Sequence, residues 1–166
     1  MKNCERDVPY FEIAKFVRSQ TGDIKKILLH GLPETRLPEM ASGACHDISV
    51  LLAWRVKGKF KDVPLFGLAG LGKHLTVFGG HYVLGFSTKT ENEFAFIDGT
   101  IWQIKKEEKL IYTSKIFETQ GQLLEELQTL YTGIWGVVDI ERHLSRNKIN
   151  NTLSYLKHRR QRKPKR

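Results

Sequence analysis

Residues 45–56 constrain the fold more than any other stretch. Cys45 to Val56 places Ile48, Leu51, Leu52 and Trp54 at helical spacing with few polar residues between them. Lys57-Gly58-Lys59 then closes the run with the cations and glycine that a helix C-terminus prefers. A helix this apolar is mostly buried, so the rest of the chain must supply surfaces that cover it. It opens on a cysteine, and Gly43 and Ala44 just before it are small.

The covering surfaces come in two blocks. Val8, Phe11, Ile13, Phe16 and Val17 predict a helix over residues 8–18, with Asp7 as N-cap, Pro9 in the first turn and Thr21-Gly22-Asp23 as its end. Ile24 to His30 reads as helix or strand. Gly31-Leu32-Pro33 and Leu37-Pro38 mark an irregular approach to Cys45. Beyond the central helix the texture turns β. Residues 60–66 hold a short strand broken by Pro64, and Gly67 to Gly72 reads as a glycine-rich loop. Tyr82 to Phe86 and Phe94 to Ile97 are strands around a polar turn, and Thr100 to Ile104 is a third candidate. Charged Lys105 to Lys109 and then Leu110 to Thr113 follow. Gly121 to Tyr131 is helical, Ile134 to Ile140 is a strand, and Asn151 to Lys157 is a last helix. Helices early and strands late predict an α+β fold, the Cys45 helix packed on an antiparallel sheet.

A chain of 166 residues with 40% hydrophobic residues can bury a real core in one domain. We expect that domain over residues 1–156. No run of about 18 apolar residues occurs, so a transmembrane segment is not expected. The N-terminus lacks the apolar segment of a signal peptide. The expected address is cytoplasmic, or that of an effector delivered by a dedicated secretion machine. The net charge of +9 is concentrated at one end: Lys157 to Arg166 holds seven Lys or Arg and no acid, leaving 20 basic against 18 acidic residues elsewhere. Residues 157–166 are expected as a disordered basic tail able to meet a nucleic acid or an anionic membrane surface. No aromatic residues interleave with its charges, so base stacking is not expected. Two cysteines, Cys4 and Cys45, are too few for a disulfide scaffold.

Cys45 has the setting of a nucleophile. Thiolate is the reactive form, and a helix N-terminus and a nearby imidazolium both favour it. The same helix end offers N–H groups, including that of Cys45, to an oxyanion. His81, in Gly79-Gly80-His81-Tyr82, and Asp98, in Ile97-Asp98-Gly99-Thr100, are candidate partners. If the two strands pair around a turn midpoint near Lys89 and Thr90, Val83 lies opposite Phe96 and His81 opposite Asp98. Directly opposed residues share a face, so Asp98 could orient the His81 ring. A slip of one residue would separate them. Each residue also has a plainer reading: a core thiol, a strand histidine and a turn aspartate. Nucleophile, base and orienter together are what acyl chemistry requires.

With these residues in view, Gly43-Ala44-Cys45, Asp47, Ser49 to Leu52, Arg55 and Gly58 resemble the nucleophile segment of the transglutaminase-like branch of papain-fold proteins. His81 and the apolar residues after it are similar to that family's His strand, and Phe94 to Thr100 to its Asp strand. The resemblance covers residues 40–104. It implies a nucleophile helix on an antiparallel sheet, with Cys45 as nucleophile, His81 as base and Asp98 as orienter. It further implies a thiol hydrolase or acyltransferase acting on a protein or peptide amide, as protease, deamidase or transglutaminase, with effector and toxin domains among its relatives. The chain departs from the pattern in Gly99, where proline is frequent, and in having no tryptophan directly after His81. No papain-type oxyanion glutamine is identifiable upstream; Gln20, the only glutamine there, is too distant.

Other signals are weaker. Gly67 to His74 matches a phosphate-binding loop but for its final hydroxyl, which His74 replaces, so a loop beside the cleft is the expected reading. Cys45, His46, His74 and His81 contain no tight metal-ligand pair, so neither metal nor cofactor is expected. Asp47 is a candidate cap of the first helical turn. The alternatives to an enzyme are a nucleic-acid-binding module working through the tail and a papain-fold interaction protein without catalysis.

Overall fold

The computed structural model describes residues 8–72, 80–88, 93–103 and 111–159. It is a mixed α+β structure whose sheet has five strands in the order β4-β3-β2-β1-β5, every neighbouring pair antiparallel. The strands are β1 (Leu65–Leu71), β2 (Gly80–Ser87), β3 (Phe94–Asp98), β4 (Tyr112–Thr113) and β5 (Ile134–Val138).

The first helical block differs from expectation at its joint. Helix α1 (Tyr10–Ser19) turns Ile13, Ala14 and Val17 inward, while Phe11 stays 62% exposed. Thr21-Gly22-Asp23 opens α2 (Thr21–Leu29) instead of ending a helix. Gln20 makes this possible: its N–H bonds to Val17 O at 2.9 Å and its carbonyl accepts from Ile24 N at 2.9 Å. The expected Asp7 cap lies outside the described residues. After α3 (Leu37–Ala41), Gly43 adopts φ +70°, a left-handed turn that leads directly into α4 (Cys45–Lys59).

Helix α4 is apolar around most of its circumference. Ile48, Val50, Leu51, Leu52, Ala53 and Val56 are all buried, each large one contributing about 1.5–3 kcal/mol. The sheet covers one side, and α1 and α6 (Arg146–His158) cover others. Trp54, expected inward, is instead exposed, at 36%. Leu84, Phe86, Ala95 and Ile97 face α4. The alternate side chains Leu68, Val83 and Phe96 face the other way, onto Leu123, Leu127 and Tyr131 of α5 (Gln120–Tyr131). That helix is capped by Thr119, whose hydroxyl accepts from Gln122 N at 3.2 Å.

Two strand expectations are corrected. Gly67 to Leu71 is not a loop but most of β1, paired on both edges. Its glycines make room for rings: a Cβ on Gly70 would stand 2.5 Å from Trp135 Cε2, and one on Gly67 would strike the Tyr82 hydroxyl. An extended, doubly paired strand cannot curl around a phosphate, which removes the phosphate-loop reading of Gly67 to Gly72. Lys73, His74 and the rest of that segment to Gly79 lie outside the described residues. Of Thr100 to Ile104, the third strand candidate, Ile101–Gln103 form a 3-10 turn instead, with Gln103 N donating to Thr100 O at 3.0 Å, and Ile104 lies outside the described residues.

Helix α6 carries through Lys157 and His158, the first residues of the segment expected as tail. Arg159 then reaches back across the fold: Nη1 donates to Met40 O at 3.4 Å and Nη2 to Ser42 O. Among the described residues, no helix is long and apolar enough to cross a membrane.

Candidate active site

Cys45 is the first residue of α4, and its thiol is free and partly exposed. The N-cap of this helix is Ala44, buried and without a capping side chain. Asp47 does not cap the turn; its Oδ1 lies 3.7 Å from His46 Nδ1. An alanine at this position forgoes about 1 kcal/mol relative to Ser or Asp. It also leaves the first-turn N–H groups without a side-chain acceptor, at the end of the helix where they favour negative charge.

His81 and Asp98 meet from adjacent strands. His81 is 3% exposed and Asp98 wholly buried, and His81 Nε2 lies 2.7 Å from Asp98 Oδ2. The register that brings them together is not the expected one. Leu84 pairs with Ile97 and Gly85 with Phe96, a slide of two residues from the pairing of Val83 with Phe96. Two residues is a full side-chain period, so both groups remain on one face, now diagonal instead of directly opposed.

Asp98 is saturated with donors. Besides His81, the Tyr131 hydroxyl donates to Oδ2 at 2.8 Å, Thr100 N donates to Oδ1 at 2.7 Å, and Thr100 Oγ1 lies 3.3 Å from Oδ1. These bonds offset the cost of burying a carboxylate. Around the His81 ring stand Tyr131, at 5.3 Å between ring centroids, and Trp135, edge-on at 6.2 Å. Both come from one turn, where Thr132 and Gly133 adopt φ of 63° and 77° and Trp135 Nε1 donates to Thr132 O at 2.8 Å.

Burial opposes the imidazolium form of His81, but the charge and hydrogen bond of Asp98 outweigh it, and Cys45 adds to them as hydrogen-bond partner and as charge. The pKa is raised from 6.5 to about 10. With Nε2 committed to Asp98, Nδ1 is the nitrogen left for the thiol. Among the described residues Nδ1 makes no hydrogen bond of full geometry, although Cys45 acts on the ring both as a hydrogen-bonding group and as a charge. The thiol and the ring are thus close enough to interact without a fully formed hydrogen bond.

The structure thus brings Cys45, His81 and Asp98 together. Gln20 is remote from them: its Oε1 accepts from Arg55 Nη1 at 2.7 Å, ten residues along α4 and so about 15 Å from Cys45. His46 faces away, its ring edge-on to Tyr82 and to His143. Among the described residues, no three His, Cys, Asp or Glu side chains cluster as a metal site. Sequence reasoning did not find Tyr131 and Trp135. Tyr131 reads there as one more apolar position on α5, and only the reversal at Thr132-Gly133 hints that it is held in place.

No protein-family model, curated protein or solved structure matches this chain.

Proposed function

We propose that this chain is a cysteine-dependent hydrolase or acyltransferase acting on a protein amide, as deamidase or protease, within a papain-like, transglutaminase-like core. One observation carries the reading: His81 is held through Nε2 by a buried carboxylate while its other nitrogen is left to Cys45. A base oriented on one side and turned to a thiol on the other is the arrangement nucleophilic catalysis needs.

The chemistry follows from the groups in place. An imidazolium at His81 stabilises a thiolate at Cys45. The sulfur attacks the carbonyl carbon, a C–S bond forms, and the π electrons move onto oxygen. The uncapped first turn of α4 presents N–H groups to that oxyanion. His81 Nδ1–H protonates the departing nitrogen as the C–N bond breaks, giving a thioester. Water or an amine, deprotonated by Nδ1, attacks the thioester and returns the thiolate. Asp98 holds the ring throughout and keeps its charge.

Alkylation tests the reading. Iodoacetamide should label Cys45 well below pH 8, faster than Cys4, and His81→Ala should slow it. Labelling of Cys45 at the rate of a free thiol would sink the proposal. Comparing proteins modified by the wild type and by Cys45→Ala, by mass spectrometry, then identifies the substrate.

A further inference from the structure

The 3-10 turn that follows Asp98 touches both halves of the site. Thr100 bonds Asp98 through its N–H and hydroxyl. Gln103, bonded back to Thr100 O at 3.0 Å, reaches the loop before the nucleophile, where its Oε1 accepts from Gly43 N at 3.3 Å. That bond fixes which way the amide points. Oxygen is committed to residue 43, two residues before Cys45, and Nε2 is held beside the mouth of α4. Nε2 is buried and finds no hydrogen-bond partner among the described residues. An unpaired buried N–H destabilises the resting state, so such groups call for a function. His81 Nδ1, on the ring that Cys45 influences, is another buried atom without a fully formed bond among the described residues.

We propose that Gln103 is a catalytic residue of this site: its Nε2–H donates to the oxyanion formed when Cys45 attacks a carbonyl, alongside the first-turn N–H groups of α4. This inference rests on the proposed thiol chemistry. It assigns the second oxyanion donor to a residue after the aspartate strand, supplied by the same turn that secures Asp98. The amide makes its missing bond only when negative charge develops on oxygen, so the contact favours the transition state over the ground state.

The test uses p-nitrophenyl acetate as acyl donor. Sulfur forms a bond to the acetyl carbon, p-nitrophenolate leaves, and its release reports acylation, with Cys45→Ala as blank. Gln103→Glu retains an oxygen for Gly43 N but removes the donor, and Gln103→Met removes both. Acylation should fall about 10²-fold in either variant. Iodoacetamide alkylation, which forms no oxyanion, should keep its plateau rate in Gln103→Glu. Acylation at the wild-type rate in a folded variant of either kind overturns the proposal, as does a wild type that alkylates rapidly without acylating. Slow alkylation of the wild type is a different failure, that of the thiol chemistry itself. Should both variants misfold, the wild type still decides by NMR. Adding a peptide aldehyde to 15N-labelled protein should shift the Gln103 side-chain amide protons downfield as the hemithioacetal forms, and unmoved resonances refute the assignment.

Discussion

Replacing Asp98 with asparagine keeps the shape of the side chain and removes the charge that holds His81 protonated. In the wild type the His81 pKa is raised to about 10 from 6.5. Between those values the folded protein binds a proton that the unfolded chain releases. Stability from this group is therefore full below pH 6.5 and is lost as pH rises toward 10. Each pH unit inside the window costs up to about 1.4 kcal/mol, so the loss from pH 7 to pH 9 is about 2.5 kcal/mol. That is a large share of the roughly 5–15 kcal/mol that holds a domain together. Burial, the first influence on the ring, acts in the opposite sense, and without the Asp98 charge only Cys45 opposes it. Asp98→Asn should then cost about 3 kcal/mol at pH 6.5, where a buried cation loses its partner, and should flatten the decline above pH 7. Urea unfolding followed by tryptophan fluorescence at half-unit steps from pH 6 to 9 measures both. Tyr82, raised to about 12 by burial, leaves this window undisturbed. An equal slope in the two proteins would refute the assignment of the proton to His81.

Three further substitutions probe the frame of the site. Tyr131→Phe deletes the hydroxyl bonded to Asp98 at 2.8 Å and should cost about 1.5–3 kcal/mol in urea unfolding while slowing alkylation of Cys45. Gly99→Ala would place a Cβ 2.5 Å from Ile48 Cγ2 and 2.9 Å from Leu52 Cδ1, pushing α4 from the sheet, and we expect a loss of about 1–3 kcal/mol by the same assay. Thr132→Gly relieves a side chain held at φ 63° and ψ −170°, and should raise stability by about 1 kcal/mol without moving the alkylation rate.

How much of this was legible in the chain depends on which interaction decides each residue. Helix α4 was legible because its burial is written in its own composition. The shared face of His81 and Asp98 was legible because strand parity survives a slide of two residues, although the register itself was misjudged by that amount. The strand from Gly67 was not, since glycine normally weakens strands; the rings of Tyr82 and Trp135 that fill its surface come from β2 and β5. Residues 101–103 have strand-like composition, yet the tie of Gln103 to Gly43 belongs to a turn. The helix at Thr21 was hidden by a glycine whose surroundings are open, so its cost there is propensity alone.

The clasp of Arg159 on Met40 and Ser42 also sets a clock. Arg159 follows Ser42 by 117 residues, so at bacterial or eukaryotic speeds of about 5–20 residues per second the ribosome adds it roughly 6–23 seconds later. During that interval the loop entering Cys45 has no clasp, and until residue 131 is added Tyr131 is not there to steady Asp98. The nascent chain therefore carries its thiol before it carries the means to aim it, and chains arrested before residue 131 should show a Cys45 alkylated no faster than Cys4.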